Sequence, residues 1–462
     1  MKATTWMLLL AAGLMSTQAI GQMENETELK LRAGGFAEGE RDLGLGGDEE
    51  SSEFFGEIHG SLFTQYAPGF STKLRVQAFY STGEVFLNTD ETPQPSDEYI
   101  ALREAWIDIG AMTSFPGEVL RLGRQRIRDD DALWYDDDAV AARWAFDTTL
   151  LQASLGVAQQ LEGFRTDDAG VDKDQEDRFY IFGDIGTQFR PGHFVELRVA
   201  NAADDVDLEE EQMRETPERD RDRSLTWVGL AVHSDFHNER ALERVAYWAE
   251  IMGVTGDEEY VIQPDPMLGD PVTFAQRDVS GVAGSFALRF RPSPQVPAQF
   301  GVMYSLGSGG VDSSGESETF EQTGLQSNRS RYTGTRSQIH RFSEAAQFEL
   351  GNLHVSTVFA SFPAEVFDIS LIAHQFQRDA ESYGVESKGL SVDPEPGGDD
   401  DIGRSYDIVV ARYFEGFDRV ILRESGPSGV LRLRASLFEP GDAYAADADS
   451  TYRAILEMSW KL

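Results

Sequence analysis

The chain has 462 residues, no cysteine, and 80 acidic against 40 basic side chains, so its formal net charge is −40. Without cysteine there are no disulfides, thiolate metal sites or cysteine nucleophiles. So acidic a chain is not expected to bind nucleic acid or an anionic membrane face, because both require a basic surface.

The N-terminal residues have the pattern of a secretory signal peptide. Lys2 supplies a positive start, the run WMLLLAAGLM is a short apolar core, and Ala19 and Gly21 precede a plausible cleavage point. We therefore expect residues 1–21 to be a signal peptide and residues 22–462 to form one exported domain. No later apolar run reaches the roughly 18 residues that a membrane helix needs.

Beyond this segment, many stretches of about ten residues alternate between apolar and polar side chains, a pattern typical of β-strands. In TKLRVQAFY, for example, Leu74 and Val76 share one face, and Lys73 and Arg75 share the other. The predicted strands start near Thr27, Glu53, Ser71, Tyr99, Gly117, Ala139, Thr149, Arg178, Gly192, Leu225, Arg244, Asp278, Pro297, Leu350, Phe367, Arg404, Gly429 and Ser450.

The connections between these strands alternate between long and short. Tight ones such as RPGH alternate with long ones such as ADDVDLEEEQMRETPERDRDRS. This alternation is typical of barrels with short periplasmic turns and long extracellular loops. The predicted fold class is therefore all-β: a transmembrane antiparallel up-and-down β-barrel of about 18 strands, with both ends in the periplasm and an aqueous lumen.

One connection breaks this rhythm. The stretch from Glu415 to Gly429 stands where a short periplasmic turn is expected, yet it is about three times too long for one. Two interpretations stay open: it folds into the lower mouth as a plug, or it is a disordered turn.

Basic residues collect on the predicted lumenal face near the two chain ends. Alternation places Lys30 and Arg32 of the first strand, and Arg432 and Arg434 of the strand before the last, opposite the apolar face. In a closed barrel the first and last strands pair, so these side chains should lie close together. A charge on the lipid side would cost roughly 2–4 kcal/mol near the midplane, which favours the inward placement.

Two stretches do not fit a simple alternation. Arg103 and Glu104 are neighbours, so either a bulge turns both inward or one of them lies at the rim. In LRLGRQRIRDDDALWYDDD, the lipid face falls on even numbers, yet Arg126 is also even. We expect this strand to end near residues 123–125 and the rest to be an outer loop that folds inward.

Signals for catalysis or metal binding are weak. The histidines lack metal-ligand spacing, and there is no G-x-S-x-G nucleophile elbow. Asp129 and Asp130 resemble a glycosidase pair, but they stand in an acidic run that lacks the EF-hand pattern. We expect no enzyme activity, no metal site and no cofactor, with Ca²⁺ on the acidic loops left open.

Two interpretations of the lumenal arginines also stay open. Each can pair with a neighbouring carboxylate and stiffen the wall, or the cluster as a whole can recognise a passing anion. Guanidinium groups suit the second role because they bind carboxylates bidentately and keep their charge when partly desolvated.

Several long stretches carry a resemblance to a known family. They are YIALREAWIDIGAMTSFPGEVLRLGRQRIRDD, FDTTLLQASLGVAQ, FEQTGLQSNRSRYTGTRSQIHRFSEA and LFEPGDAYAADADST. These stretches resemble the alginate export family of outer-membrane porins. The resemblance implies an eighteen-stranded barrel in the outer membrane of a Gram-negative bacterium, with an electropositive constriction that passes alginate or a similar polyuronate to the cell surface.

The resemblance also implies partners and site residues. The partners are the polyuronate, outer-membrane lipid and a periplasmic scaffold rich in tetratricopeptide repeats, and we expect a monomeric barrel. Gln338 of TRSQIHRF stands where the family has an arginine. Carried over by motif, the constriction arginines are Arg32, Arg103, Arg126, Arg329, Arg432 and Arg434, and the acidic pore residues are Glu104, Asp136 and Asp167.

Other functions of the same barrel stay open at this stage. The first alternative is an anion-selective uptake porin for small uronates or oligosaccharides. A passive structural or adhesive barrel is the second, and it predicts no conductance.

Overall fold

A computed structural model describes residues 24–83, 85, 87, 98–113, 115–167, 171, 175, 178–213, 219–238, 244–262, 272–293, 295–414 and 429–462. The predicted signal peptide, and residues 415–428 of the long turn near the C-terminus, lie outside the described residues. In the described part, eighteen strands form one antiparallel sheet. No helix there is long and apolar enough to cross a membrane.

The strands of the sheet run in chain order around the molecule, joined at one end by short turns and at the other by long loops. Their bounds are β1 Glu24–Glu38, β2 Ser51–Ala67, β3 Phe70–Ser81, β4 Glu98–Gly110, β5 Glu118–Arg128, β6 Asp136–Asp147, β7 Leu151–Gln159, β8 Phe179–Arg190, β9 His193–Ala203, β10 Arg221–His233, β11 Val245–Ile262, β12 Thr273–Phe290, β13 Gln299–Gly307, β16 Leu353–Pro363, β17 Phe367–Arg378, β18 Asp401–Phe414, β19 Gly429–Pro440 and β20 Thr451–Lys461. Two short strands, β14 Arg329–Ser330 and β15 Ile339–His340, pair with each other, and one short helix is Leu208–Glu211.

The sheet closes on itself because β1 pairs with β2 on one side and with β20 on the other. Because the sheet is closed, no strand of the described sheet is left with an edge of unpaired backbone N–H and C=O groups, and a hydrocarbon environment requires this. Each of the eighteen predicted strand starts falls within five residues of an observed one, so the prediction of an eighteen-stranded barrel is confirmed.

Alternation sets the two faces of the wall. Along β12, for example, Val282 and Leu288 are more than half exposed on the outside, whereas Ser285 and Arg289 are buried inside. The outer face is thus an apolar belt suited to lipid, and the inner face carries the polar side chains. Tight turns at the short end need backbone freedom, which Gly69 supplies with φ of +80° between β2 and β3.

A bulge in β4 turns both members of the Arg103–Glu104 pair inward. The pairing with β3 runs from Arg75 opposite Glu104 directly to Val76 opposite Leu102, so Arg103 is the extra residue. Both side chains are 6% exposed. Of the two predicted arrangements, the bulge is therefore the correct one.

The tip of the β5–β6 hairpin leaves the barrel wall. Pairing of β4 with β5 stops at Arg124, whereas β5 and β6 stay paired as far as Arg128. Residues 164–166 take the vacated place beside β4, where Leu102 N donates to Phe164 O at 2.8 Å. The prediction that β5 ends near residues 123–125 is wrong, because the strand continues three to five residues beyond them, to Arg128, as part of a hairpin that bends inward. The inward course itself was predicted.

The 45-residue connection between β13 and β16 does not stay at the long-loop end. Its residues 321–350, the internal segment, contain no exposed residue. At the tip of this segment, the Arg336 guanidinium donates to the carbonyl oxygens of Ala364 and Glu365, which belong to the short turn between β16 and β17. The internal segment therefore runs down the lumen to the opposite end of the barrel and returns.

Apolar packing fixes the internal segment against one side of the wall. Tyr332 and Ile339 belong to a buried cluster with Trp248, Met303 and Phe359 of the barrel strands. On the return path, the Phe348 ring lies 4.9 Å from that of Phe376 and 5.7 Å from that of Phe438, between ring centroids. The side of the lumen bounded by β10–β19 is thus occupied by tightly packed side chains, apolar ones together with buried, hydrogen-bonded polar ones.

Candidate functional site: a basic cavity inside the barrel

The seam of the barrel brings together predicted arginines from its first and its second-last barrel strand. The Arg32 Nε atom donates to Glu457 on β20 at 2.6 Å, and its Nη1 atom donates to Glu57 on β2 at 3.2 Å. From β19, the Arg432 Nη1 atom reaches the other oxygen of Glu457 at 2.7 Å. Two guanidinium groups therefore share one buried carboxylate, as expected from the pairing of the terminal strands.

A second shared carboxylate lies on the internal segment. Glu344 accepts from Arg329 Nη2 at 2.7 Å and from Arg434 Nη1 at 2.9 Å. Burial alone would raise the pKa of the Glu344 carboxyl, but the guanidinium groups of Arg329 and Arg434 hold it well below its usual range. Glu344 thus stays ionised and joins the internal segment to β19.

The inward hairpin contributes basic residues from across the lumen. The Arg126 Nε atom donates to Asp136 at 2.8 Å, and the Arg128 guanidinium lies 3.6 Å from the same carboxylate. The amide of Gln338 lies against the Arg128 guanidinium. At the position where the family has an arginine, this chain therefore has the neutral Gln338, and the Arg128 guanidinium of the inward hairpin lies beside it.

The bulged pair of β4 lies behind the cavity wall. Arg103 Nε is 2.9 Å from Asp138 of β6, and Glu104 forms ion pairs with Lys73 at 3.3 Å and Arg75 at 3.2 Å. These contacts hold the inward hairpin against β3 and β4.

Asp167 is placed apart from the other predicted residues. It directly follows residues 164–166, which replace β5 beside β4, and it accepts from Arg165 at 2.6 Å. The Arg165 guanidinium in turn stacks 3.8 Å from the ring centroid of Tyr99. The structure gives Asp167 a place in this loop contact and not in the cavity lining.

Four of the six predicted arginines and one predicted acid line a single cavity of about 410 Å³ between the internal segment, the inward hairpin and strands β1–β3. Eight basic side chains and three carboxylates face it. Within the described residues, the Lys30 ammonium makes no ion pair within 4 Å. The cavity is lined by Glu28, Lys30, Arg32, Glu57, His59, Ser61, Lys73, Arg75, Arg126, Arg128, Asp136, Arg329, Gln338 and Arg434.

The charged groups behind this lining do not cancel its net positive charge. Arg103 and Arg432 lie just outside with four carboxylates, those of Glu104, Asp138, Glu344 and Glu457. Counting the lining and this outer layer together gives ten basic groups against seven acidic ones, so the site is electropositive inside a chain of net charge −40. Each predicted arginine also contacts a carboxylate, which is the pairing that stiffening of the wall requires.

Several site residues were not among the predicted ones. Lys73 and Arg75 carried a usable signal, since they alternate with Leu74 and Val76 on the face away from lipid. Glu57 and Glu457 alternate in the same way on their strands. Glu344 carried no such signal, because the internal segment has neither strand nor helix periodicity. In the described chain, no group of three or more histidine or carboxylate side chains is arranged to hold a metal ion.

The closed eighteen-stranded wall, its apolar outer belt and its polar, charged interior define an outer-membrane β-barrel of the porin class. Solved porins share this fold. Acinetobacter baumannii OccAB1 matches 97% of this chain and 99% of its own, with a TM-score of 0.58 at 10% identity. Pseudomonas aeruginosa OccK2 (OpdF), solved in complex with glucuronate, matches 95% of this chain and 96% of its own, with a TM-score of 0.52 at 11% identity.

Sequence comparison is more specific. The alginate export family matches residues 25–456. Alginate production protein AlgE of Pseudomonas aeruginosa is 34% identical over 473 residues, covering 98% of this chain and 95% of the relative. AlgE of Azotobacter vinelandii is 33% identical over 390 residues, covering 80% and 77%. The chain belongs to the alginate export family, and is therefore an outer-membrane transport protein and not an enzyme.

Proposed function

We propose that the protein passes an anionic polysaccharide, alginate or a similar polyuronate, from the periplasm to the cell surface through the basic cavity. The observation that carries the proposal is the excess of guanidinium and ammonium groups around one water-accessible cavity in an acidic chain. Membership of the alginate export family supports the choice of a uronate polymer.

The form of the lumen supports a narrow route. The internal segment occupies the side bounded by β10–β19, and we assign the route of the polymer to the basic cavity beside β1–β3, because four of the six predicted arginines line it. Selectivity is set where a passage is narrowest, because charges there are least screened by water and salt.

The paired carboxylates also have a role in transport. A polyanion held only by arginines would bind tightly, and conduction requires binding weak enough to allow release. Glu57, Asp136 and Glu344 compete with the polymer for the same guanidinium groups, so each uronate contact replaces an existing ion pair and the polymer can slide.

In the cell, we propose that the barrel is monomeric and receives the polymer from a periplasmic scaffold of tetratricopeptide repeats. This part of the proposal rests on the family alone. It predicts co-purification of the barrel with such a scaffold from a producing strain.

The central test is ion selectivity in planar bilayers. The wild-type barrel should conduct anions in preference to cations, and soluble polyuronate should block its current. The double variant Arg126→Glu/Arg434→Glu should lose or reverse the anion preference and lose the block. The control Arg404→Glu/Arg412→Glu makes the same charge change on the exposed outer face of β18 and should retain both.

The other outcomes separate the alternatives. A channel that prefers anions but is not blocked by polyuronate would support uptake of small uronates. A cation-selective channel indifferent to polyuronate would overturn the proposal, and absence of any conductance would indicate a structural barrel.

A further inference from the structure

We infer that the internal segment is a fixed inner wall that sets the width of the passage, and that Arg336 is the residue that anchors it. This inference does not depend on which solute the barrel carries. It concerns the size of the passage, whereas the proposed function concerns its charge.

The first support is the reach of the segment. It enters and leaves at the long-loop end, yet its tip contacts the short turn at the opposite end. A loop that merely covered the mouth would not contact Ala364 and Glu365. Because the segment spans the full height of the barrel, its position decides the free cross-section at every level.

The second support is the density of contacts at the tip. The Arg336 guanidinium forms a bidentate pair with Asp368 of β17, through Nε at 3.1 Å and Nη2 at 2.8 Å, and its backbone N donates to the same carboxylate at 2.8 Å. The guanidinium carbon lies 3.6 Å from the ring centroid of Tyr413, whose hydroxyl donates to Asp368 at 3.1 Å. Planar stacking and a bidentate fork together fix the guanidinium in one orientation, which lysine cannot reproduce.

The third support is that neighbouring residues seat the tip against the same strands. Thr335 and Ser370 place their hydroxyl oxygens 3.3 Å apart, and the Ser361 hydroxyl donates to Thr333 O at 2.6 Å. Asp368, Ser370 and Thr335 are all at most 1% exposed. Such buried polar contacts are costly to leave unmade, so the tip has one preferred position and not a range of them.

The anchor lies next to the basic cavity but outside its lining: the hydroxyl of the neighbouring Ser337 accepts from Arg432 Nε at 3.2 Å, and Gln338 lines the cavity. Arg336 and Asp368 are not among the residues that line it. Loss of the anchor should therefore change how large a solute passes, without removing the charges that choose its sign. Arg336 is in this sense a positioning residue that acts through the segment.

The experiment compares Arg336→Ala with Arg336→Lys and with Arg412→Ala, a control on the outer face of the adjacent β18. Single-channel conductance and liposome swelling in neutral raffinose report passage width. Arg336→Ala should raise both by about twofold or more, as expected when a constriction widens. Arg336→Lys should give a smaller increase, and Arg412→Ala none.

A cross-link separates a loosened segment from a misfolded barrel. The chain has no cysteine, so Thr335→Cys/Ser370→Cys introduces the only thiol pair. In the Arg336→Ala background, oxidation of this pair should return conductance and raffinose entry to the wild-type values, and reduction should raise both again. Restored values show that the barrel is intact and that the position of the segment alone sets the width.

Three results would overturn the inference. One is an Arg336→Ala channel with wild-type width. Another is failure of the two cysteines to cross-link in the otherwise wild-type chain, because the tip would then not be seated on β17. The third is a cross-linked wild-type barrel that no longer passes ions, because the segment would then be a moving gate and not a fixed wall.

Discussion

Arg32 and Glu457 join the first and the last strand of the barrel through a buried hydrogen bond of 2.6 Å, at the seam where the sheet closes. Both side chains are less than 10% exposed. The same seam carries an exposed ion pair between Glu28 and Lys461 at 3.0 Å. The two pairs connect the same two strands, but the Glu457 carboxylate is buried and also accepts from Arg432, whereas the Glu28–Lys461 pair is exposed to water.

The seam therefore predicts two different costs for the same substitution. Glu457→Gln leaves Arg32 and Arg432 short of a buried carboxylate, and removing one partner of such a pair typically costs about 3–5 kcal/mol. Glu28→Gln removes an exposed pair, worth about 0–1 kcal/mol. Urea unfolding of the two variants in detergent measures the difference, and equal midpoints would show that the buried pair is not a stabilising feature.

Salt should weaken the block by polyuronate. The basic groups around the cavity act on the polymer through charge, and the Debye length falls from roughly 10 Å at 0.1 M to 3 Å at 1 M salt. The blocking concentration of polyuronate should therefore rise steeply over this range. A neutral dextran of the same length is the control, and its block should change little. A polyuronate block that is independent of salt would indicate steric and not electrostatic recognition.

Gln338 offers a gain-of-charge test. Its amide lies beside the Arg128 guanidinium at the cavity. Gln338→Arg would add a positive charge there and should increase anion selectivity, measured as a shift in reversal potential. The isosteric Gln338→Glu should lower selectivity by pairing with Arg128. If neither substitution changes the reversal potential, this part of the cavity does not lie on the ion path.

Acid should loosen the internal segment through Glu344. The pKa of this carboxyl is lower in the native state than in the unfolded state. At pH values between the two pKa values, the native state therefore binds fewer protons than the unfolded state. The stabilisation is thus fully present above the unfolded pKa of about 4.3, and it is lost progressively as the pH falls from there through the depressed folded-state pKa. Conductance should therefore keep its neutral-pH value down to about pH 4 and rise only as the pH falls further, while the conductance of Glu344→Gln should already be raised at pH 7 and respond less to acid. Glu318→Gln, exposed in the same connection, should behave like the wild type.

Cysteine labelling tests the orientation of the barrel. Ser313 is exposed at the long-loop end, Gln295 is exposed at the short-turn end, and Ser330 is buried in the internal segment. A membrane-impermeant maleimide on intact cells should label Ser313→Cys alone, and Gln295→Cys should react only after the outer membrane is opened. Labelling of Gln295→Cys on intact cells would invert the assigned direction.

The structure corrects an expectation drawn from the connection lengths. Length alone indicates that all of residues 307–349 is extracellular. Residues 312–318 agree with that expectation, since most of them are half-buried or exposed at the rim. The internal segment does not agree, because it is enclosed by the wall.

The strands could be predicted because a wall with lipid on one side and a polar lumen on the other requires apolar and polar residues to alternate along each strand. Lys30, Arg32, Arg432 and Arg434 were placed correctly for the same reason, together with the rule that terminal strands pair. Whether β4 has a bulge at Arg103 or places one of the pair at the rim depends on its pairing with β3. The sequence of a single strand does not contain that information. Arg336 and Glu344 were out of reach, since a segment held by tertiary contacts alone has no period.

The filled half of the lumen has a consequence for how the chain folds. Phe348 contacts residues of β17 and β19, and Glu344 bonds to Arg434, so the core is completed only after the second-last strand has arrived. Contacts between residues this far apart in the chain slow folding, because loop closure comes before any gain in packing. Wall and core should therefore form in one late, cooperative event, and unfolding in detergent should resemble the single transition of a water-soluble domain.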